Sequence, residues 1–567
     1  MQTPVAEPKV IGYECRHATY SPTHTPNGSF TNNDVHVVKE YVYTDDGQRT
    51  PRVRCIDNFE REFYITHAAQ QNHKDKKEYE SIANLQRYTT TQCRMTDSIS
   101  RALYHRPGGA TPLRQLAKSP YLYGCDISST ALVKKSYESK WPELMHPSAS
   151  VAVLDIETDV VHGTEDIIII SLTFKQRIYT AICTRFIPLG RNPAQHVHAL
   201  IDTHLGDILK ERRATVEIGM FDTPAACCKA VIARAHEWMP DFVVLWNMNF
   251  DIPRIIRTLE AAGDDLADVF SDPCVPKANR FFKYTEGKSQ KVTQSGKTMP
   301  LHPADRWHIA ECPASFYIVD AMCIYKRIRT AKGNEPSYAL DYVLNKHVGK
   351  GKLSLPEYDN YHGLAWHRAM QQEQPFFYVV YNIYDCIGVE MLDEITNDVC
   401  ATFPTLCGNS DFRNFTSNPR RLVDDLHYFY LNRGGVVATT GVDMTDENDE
   451  SVVGLNEWIV TLPTHLVADN GISLIKGYET LRSMVRIHLA DLDIEGTYPT
   501  IQVVANISKE TTLRELSRIK NITDRQQRMI GINMSGGVVN AVEIGNMAFQ
   551  LPTLSEWLVL AQADPNF

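Results

Sequence analysis

Val151-Ala152-Val153-Leu154-Asp155-Ile156-Glu157 is a short apolar run that closes on two carboxylates. Such a run reads as a buried strand, and residues i and i+2 of a strand point the same way, so Asp155 and Glu157 share a face. Working outward, Ile167 to Phe174 and Tyr179 to Cys183 have the composition of the next two strands of the same sheet. Asp241-Phe242-Val243-Val244-Leu245-Trp246-Asn247 is another apolar run, expected to feed a loop carrying Asn249 and Asp251. Phe316-Tyr317-Ile318-Val319-Asp320 reads as a further strand. Phe377 to Glu390 has helical spacing, which puts Tyr381 and Asp385, four apart, on one face.

Three strings in strict order, Asp155-Ile156-Glu157, Asn249-Phe250-Asp251 and Tyr381-Asn382-Ile383-Tyr384-Asp385, thus supply four carboxylates and one phenol. That is the set required by a two-metal phosphodiester-cleaving site, whose cations, roughly 3.5–4 Å apart, neutralise charge on the attacking and leaving oxygens. Magnesium prefers carboxylate oxygens, so acids rather than His or Cys are its expected ligands. One Asp-x-Glu is common on solvated surfaces. Three such strings, each closing an apolar strand-like or helical segment, are specific.

On these strings the chain resembles the family B DNA polymerases, most closely their T-even-phage-like branch. The strings look like the family's three proofreading-exonuclease motifs, of the subtype ending in tyrosine-x-x-x-aspartate. The resemblance implies that Asp155, Glu157, Asp251 and Asp385 hold two Mg²⁺ (or Mn²⁺) ions and that Tyr381 orients the attacking water. The second motif departs from the phage pattern, with one residue fewer between Asn247 and Asp251. Tyr325-Lys326 and the Gly349-Lys350-Gly351-Lys352-Leu353 loop match the phage relatives.

Asp493-Ile494-Glu495-Gly496-Thr497-Tyr498-Pro499-Thr500 resembles the first polymerase motif, usually D-x-x-S-L-Y-P-S, with Gly496 and Thr497 in place of the usual serine and leucine. Spacing from Tyr498 selects Asp493 over Asp491. The resemblance makes the Asp493 carboxylate and the Ile494 carbonyl ligands of further Mg²⁺, and Tyr498 the nucleotide-binding ring that packs under the sugar and excludes a 2′-hydroxyl. Asn506 to Thr511 again resembles the phage branch. The 67 residues after Thr500 contain neither a K-x-x-x-N-S-x-Y-G-like string nor an Asp-Thr-Asp. A lone Asp493 cannot hold two metals against a triphosphate.

The expectation is therefore the N-terminal subunit of a split phage-type family B DNA polymerase. It carries the 3′→5′ exonuclease and one palm carboxylate, and a second chain supplies fingers, remaining palm and thumb. The alternative is a stand-alone 3′→5′ DNA exonuclease with an inert polymerase remnant. A DNA-binding or replisome scaffold with degenerate sites is the third reading, and the intact carboxylate set argues against it. The implied partners are primer-template and single-stranded DNA, dNTPs and a sliding clamp, and the implied setting is the cytoplasm of an infected host cell.

A chain of 567 residues should form several domains. The expected class is α/β and α+β multidomain. Residues 1–147 are expected to form an N-terminal α+β domain, 148–395 a ribonuclease H-like exonuclease, 396–485 a linker into the palm, and 486–567 a partial palm. In the first, Val37 to Cys55 reads as strand–turn–strand around Asp45-Asp46-Gly47. Polar His73 to Gln92 reads as an exposed helix, and Thr553 to Glu556, after Pro552, as a capping box opening a terminal helix. No run of about eighteen apolar residues occurs, so no membrane span is expected, and the N-terminus lacks the pattern of a signal peptide. The 13 cysteines are scattered without a C-x-x-C pair and read as reduced thiols.

A net charge of −10 requires any DNA path to be locally basic. The clearest such stretch, Lys277 to Lys297, offers Lys277, Arg280, Lys283, Lys288 and Lys291 as DNA-binding candidates, interleaved with Phe281, Phe282 and Tyr284. Cations with aromatics suit phosphate contact plus base stacking. Glu286-Gly287 is the expected tip of a hairpin, which in the family helps pass the primer end to the exonuclease; a solvated loop is the alternative.

Overall fold

The computed structural model describes residues 8–439 apart from 26–27, 29–32, 75–76, 78, 105–111, 145–147, 188–191, 293–296, 330–333 and 400–426. Asp493, Ile494, Tyr498 and the helix expected after Pro552 lie outside the described residues. The N-terminal module opens with β1 (Val10–Ser21), which pairs antiparallel with β2 (Val35–Thr44), and β2 pairs in turn with β3 (Arg49–Asp57). Gly47, at φ +81°, closes the β2–β3 turn where the sequence places it; a left-handed residue there costs glycine nothing. A second sheet joins β4 (Glu60–Thr66) to β6 (Leu85–Thr91) and β7 (Leu122–Tyr123), beside β5 (Tyr79–Ser81). The helices α1 (Met95–Tyr104), α2 (Leu113–Leu116) and α3 (Ser129–Lys140) complete the module.

The helix expected over His73–Gln92 is overturned, because that interval holds β5 and β6. Tyr88-Thr89-Thr90-Thr91 is aromatic and β-branched, which suits a pleated surface better than a helix. Tyr88 pairs with Phe63 of β4, their rings stacked at 5.2 Å. Polar composition hid a half-buried strand.

The central sheet is built from β8 (Val151–Thr158), β9 (Ile167–Phe174), β10 (Arg177–Cys183), β11 (Thr215–Phe221) and β12 (Phe242–Leu245), with α4 (Pro193–Arg212) and α5 (Pro224–Trp238) between them. After β12 come α6 (Met248–Ala261), α7 (Leu266–Phe270), β13 (Lys283–Thr285), β14 (Gln290–Val292), β15 (Thr298–Pro300), β16 (Ile309–Glu311) and β17 (Tyr317–Asp320). The remaining elements are α8 (Ala321–Arg329), α9 (Leu340–His347), α10 (Leu364–Glu373), α11 (Pro375–Thr396) and β18 (Gly435–Val437). Eight strands form one mixed sheet in the order β11-β10-β9-β8-β12-β17-β16-β13. β8 runs antiparallel to β9 but parallel to β12.

Side-chain alternation along β8 decides what faces what. Ala152, Leu154 and Ile156 pack with α5 and α6 on one face, whereas Val153 packs with α8, α9 and α11 on the other. Asp155 and Glu157 follow Val153 at even spacing, so they turn toward α11. The two strands that lead into the acidic motifs are locked at their starts by one buried pair. The Asp241 carboxylate accepts from Ser150 N (2.7 Å), Ser150 Oγ (3.0 Å), Lys39 Nζ (2.7 Å) and Tyr41 Oη (3.1 Å). Burial alone would raise the Asp241 carboxyl, but Lys39 and Arg16 hold it well below the usual range. Burial pushes Lys39 down to about 8, against the pull of Asp241.

Two further expectations change. Asn249 and Asp251 sit in the first turn of α6, not in a loop. The hairpin in the basic stretch is β14–β15, and its connection falls beyond Val292; Glu286-Gly287 is a link between β13 and β14. Gly287 lies so close to the Arg306–Trp307 backbone that a Cβ there would meet it at 2.7 Å. Within the 396–485 interval, β18 pairs with β5, and Thr439 Oγ1 donates to the Ala117 and Leu122 carbonyls at 3.1 and 3.0 Å. It completes the N-terminal module. No helix among the described residues is long and apolar enough to cross a membrane, and none of the eleven described cysteines is in a disulfide.

Candidate metal centre

Pro375 opens α11 at a position where its missing N–H is not needed, and a long apolar run then buries the helix against the sheet. One stripe of α11 is polar. Tyr378, Tyr381, Asn382 and Asp385 stand at i, i+3, i+4 and i+7, on the same face. That face meets the C-terminal half of β8.

Asp155, Glu157 and Asp385 bring one carboxylate oxygen each to within 4.8 Å of one another. Each has its own donor. Asn382 Nδ2 donates to Asp155 Oδ2 at 2.7 Å, the Tyr378 hydroxyl donates to Glu157 Oε2, and Lys352 Nζ donates to Asp385 Oδ2 at 2.6 Å. Lys352 also donates to Tyr381 Oη at 2.8 Å, which leaves the phenol its own proton to give. The lysine is brought there by its loop: Lys352 N donates to Asp341 Oδ1 of α9 at 2.8 Å, and Gly351 lets the chain pass close to Asp341 and Asn345.

Asp251, only 3% exposed, stands at the start of α6 outside this three-way cluster but within its electrostatic reach. Burial, then the charges of Asp155, Asp320 and Glu157, push its carboxyl well above the ordinary value. Burial and Asp385 push Asp155 up to about 7, while Lys352 opposes them. Glu157 is likewise raised by burial and by Asp155, and Asp385 by burial against Lys352.

Acids crowded in this way resist ionising together unless a cation joins them. Asp385 Oδ1 is buried and accepts no hydrogen bond among the described residues, as a ligand oxygen kept for a cation would be. The cluster is all carboxylate, with neither His nor Cys, which suits a hard divalent ion. The residues present fit such an ion.

Five residues at this site have no role assigned from the sequence alone. Lys352 lies in the Gly349–Leu353 loop, whose only sequence signal is its family likeness, and Asn382 lies inside the third string. Tyr378, one turn before Tyr381, follows from the same helical spacing. His367 sits beside Tyr378, with Nδ1 2.8 Å from the phenol oxygen. Asp320 closes β17 as Glu157 nears the end of β8, but its oxygens are already used. They accept from Met248 N and Cys323 N, each at 2.8 Å, so Asp320 caps the starts of α6 and α8.

The basic stretch is divided. Arg280 is committed to the fold, donating to Val275 O, Pro273 O and Asp268 Oδ1 at 2.9–3.0 Å. Lys283, on the edge strand β13, lies 4.0 Å from Glu311. Lys277, Lys288 and Lys291 are exposed. No protein-family model and no curated protein matches this chain.

Proposed function

We propose that this chain is a divalent-metal-dependent 3′→5′ DNA exonuclease with a ribonuclease H-like catalytic domain, the proofreading part of a phage-type family B DNA polymerase. The observation that carries the reading is the convergence of Asp155, Glu157 and Asp385 within 4.8 Å, with Lys352 and Tyr381 against them. Asp155, Glu157, Asp385 and Asp251 would hold Mg²⁺ or Mn²⁺, which when bound neutralises charge building on the phosphate and lowers the pKa of water. The chain's own residues do the rest. Lys352 fixes the Tyr381 hydroxyl, whose own proton would orient a water for attack on the terminal phosphodiester. Burial of the acids keeps competing solvent away.

The polymerase half of the proposal rests on Asp493, Ile494 and Tyr498. Nucleotide addition needs a second palm carboxylate, and these 567 residues contain no Asp-Thr-Asp to bring it. A polypeptide carrying that motif, with fingers and thumb, is the proposed partner, and primer-template DNA and dNTPs the substrates.

The test is digestion of 5′-labelled single-stranded DNA with Mg²⁺. The double variant Asp155→Ala, Glu157→Ala should lose activity by orders of magnitude while its circular dichroism is unchanged; full activity in it would sink the site. Asp493→Asn should leave digestion intact and abolish synthesis once the partner polypeptide is added. Normal synthesis with Asn at 493 would leave the exonuclease without a polymerase role.

A further inference from the structure

Of the three clustered carboxylates, Glu157 has the longest side chain and the most rotamers to lose, so holding it in one place is the hardest. Its anchor is also the most elaborate. The Tyr378 hydroxyl donates to Glu157 Oε2, and His367 Nδ1 lies 2.8 Å from the same phenol oxygen. Tyr378 has a single proton, which goes to the carboxylate, so toward His367 its oxygen can only accept. That fixes the imidazole proton on Nδ1 and makes a one-way relay, His367 to Tyr378 to Glu157. One turn further along α10, Gln371 Nε2 donates to the Thr158 carbonyl at 2.8 Å, and its Oε1 accepts from Val160 N at 3.1 Å. His367 and Gln371 are four apart, so one face of α10 grips both the Glu157 side chain and the backbone just beyond it.

We propose that Tyr378 is a positioning residue, backed by His367 and Gln371, which holds the Glu157 carboxylate ready for a divalent cation. Through this relay α10, which contributes no ligand, sets how tightly the site binds metal; this rests on the metal-centre reading above. The physical reason is general: groups that orient a metal ligand typically change affinity by about 10- to 100-fold when removed. Tyr378 also stacks on Tyr381, with ring centroids 5.7 Å apart and planes 4° from parallel. Tyr378→Phe keeps that stack and removes only the hydroxyl.

The experiment is Mn²⁺ binding to the purified full chain, read from the electron paramagnetic resonance of free Mn²⁺ with no DNA present. Tyr378→Phe should weaken binding by about 10-fold or more, with little change in melting temperature. His367→Leu should weaken it less. The double variant should bind close to Tyr378→Phe alone, because His367 makes its hydrogen bond to the phenol and otherwise stands 3.8 Å from Glu157 Oε2, beyond hydrogen-bond distance. A purely structural role would instead give additive losses, tracking melting temperature.

Glu157→Gln separates the two levels of the argument. If it impairs Mn²⁺ binding while Tyr378→Phe and His367→Leu bind like wild type, the positioning role is wrong. If Glu157→Gln itself binds Mn²⁺ normally, the metal centre fails and the relay with it. Should Tyr378→Phe not fold, His367→Leu alone decides: weakened binding at unchanged melting temperature supports the relay, and unchanged binding refutes it.

Discussion

Replacing Lys352 with methionine isolates what the one cation among the described residues in hydrogen-bond contact with the carboxylate cluster does. Three carboxylates within 4.8 Å repel strongly. At an effective dielectric of about 20, each ionised pair at that spacing costs roughly 3–4 kcal/mol. Lys352 offsets part of this at 2.6 Å from Asp385 Oδ2, and orients Tyr381 at 2.8 Å. Methionine keeps the aliphatic stem and removes both bonds. A hydrogen bond to a charged group contributes about 1.5–3 kcal/mol.

If that interaction matters chiefly in the transition state, the loss converts to roughly a 10- to 150-fold fall in the rate of hydrolysis. Metal binding should not weaken, since no ligand is lost and a competing positive charge is gone. The assay is single-turnover digestion of 5′-labelled single-stranded DNA across a Mg²⁺ titration. Asp385→Asn provides the contrast, because it removes a proposed ligand and should lower both rate and Mg²⁺ affinity. A Lys352→Met rate within about twofold of wild type at saturating Mg²⁺ would refute the reasoning. So would a defect that extra Mg²⁺ fully repairs, since that would make Lys352 a loading aid and not an orienting group.

Two further outcomes are expected. Asp155 is pushed up to about 7, first by burial and then by Asp385, whereas unfolded carboxylates titrate near ~4. The metal-free fold therefore binds more protons than the unfolded chain between those values, so its stability falls as pH rises toward 7 and is regained as pH drops. Mg²⁺ must displace those protons, so its stabilisation of the melting temperature should be large at pH 8 and lost by pH 5; a shift independent of pH would contradict the clustering. Changing Lys277, Lys288 and Lys291 together to Ala should weaken DNA binding and flatten its salt dependence by up to about 0.7 per lost single-strand phosphate contact, and an unchanged slope would assign these exposed lysines to a solvated surface.

How much could be read from the sequence depended on how local the physics was. Strands β8, β9, β10, β12 and β17 are continuous apolar runs, and burial on both faces writes that pattern into the chain directly. The two-residue period of β8 and the 3.6-residue period of α11 were enough to aim Asp155, Glu157, Tyr381 and Asp385 at a common point. Local patterning failed where a neighbour decided the outcome. Tyr88 to Thr91 reads as polar until Phe63 covers one face of it. Gly287 looks like a turn residue, but its place is set by the Arg306–Trp307 backbone, which leaves no room for a side chain. The return of β18 to β5 pairs residues some 350 positions apart, a contact that no periodicity records.

The donors that serve the carboxylates follow the same division, and it explains which part of the site a reader of the sequence finds. Ligands come in short strings because each strand or helix can present two side chains at its own period. The groups that orient them need not. Asn382 and Tyr378 share the α11 face with Asp385 and are recoverable from helical spacing once that face is known. Lys352 and His367 are not, since one rides a loop tethered by Asp341 and the other a separate helix. Their place depends on tertiary packing alone. The same packing gives each carboxylate a different donor: an amide for Asp155, a hydroxyl for Glu157 and an ammonium for Asp385. An amide or a hydroxyl can hold a carboxylate in place without adding charge. Among the described residues, only the ammonium offsets repulsion within the cluster, and it sits on the carboxylate whose second oxygen is buried and accepts no hydrogen bond there. That asymmetry makes Asp385 the proposed ligand most dependent on its donor, and Lys352 the residue whose loss should be felt in the rate before it is felt in the fold.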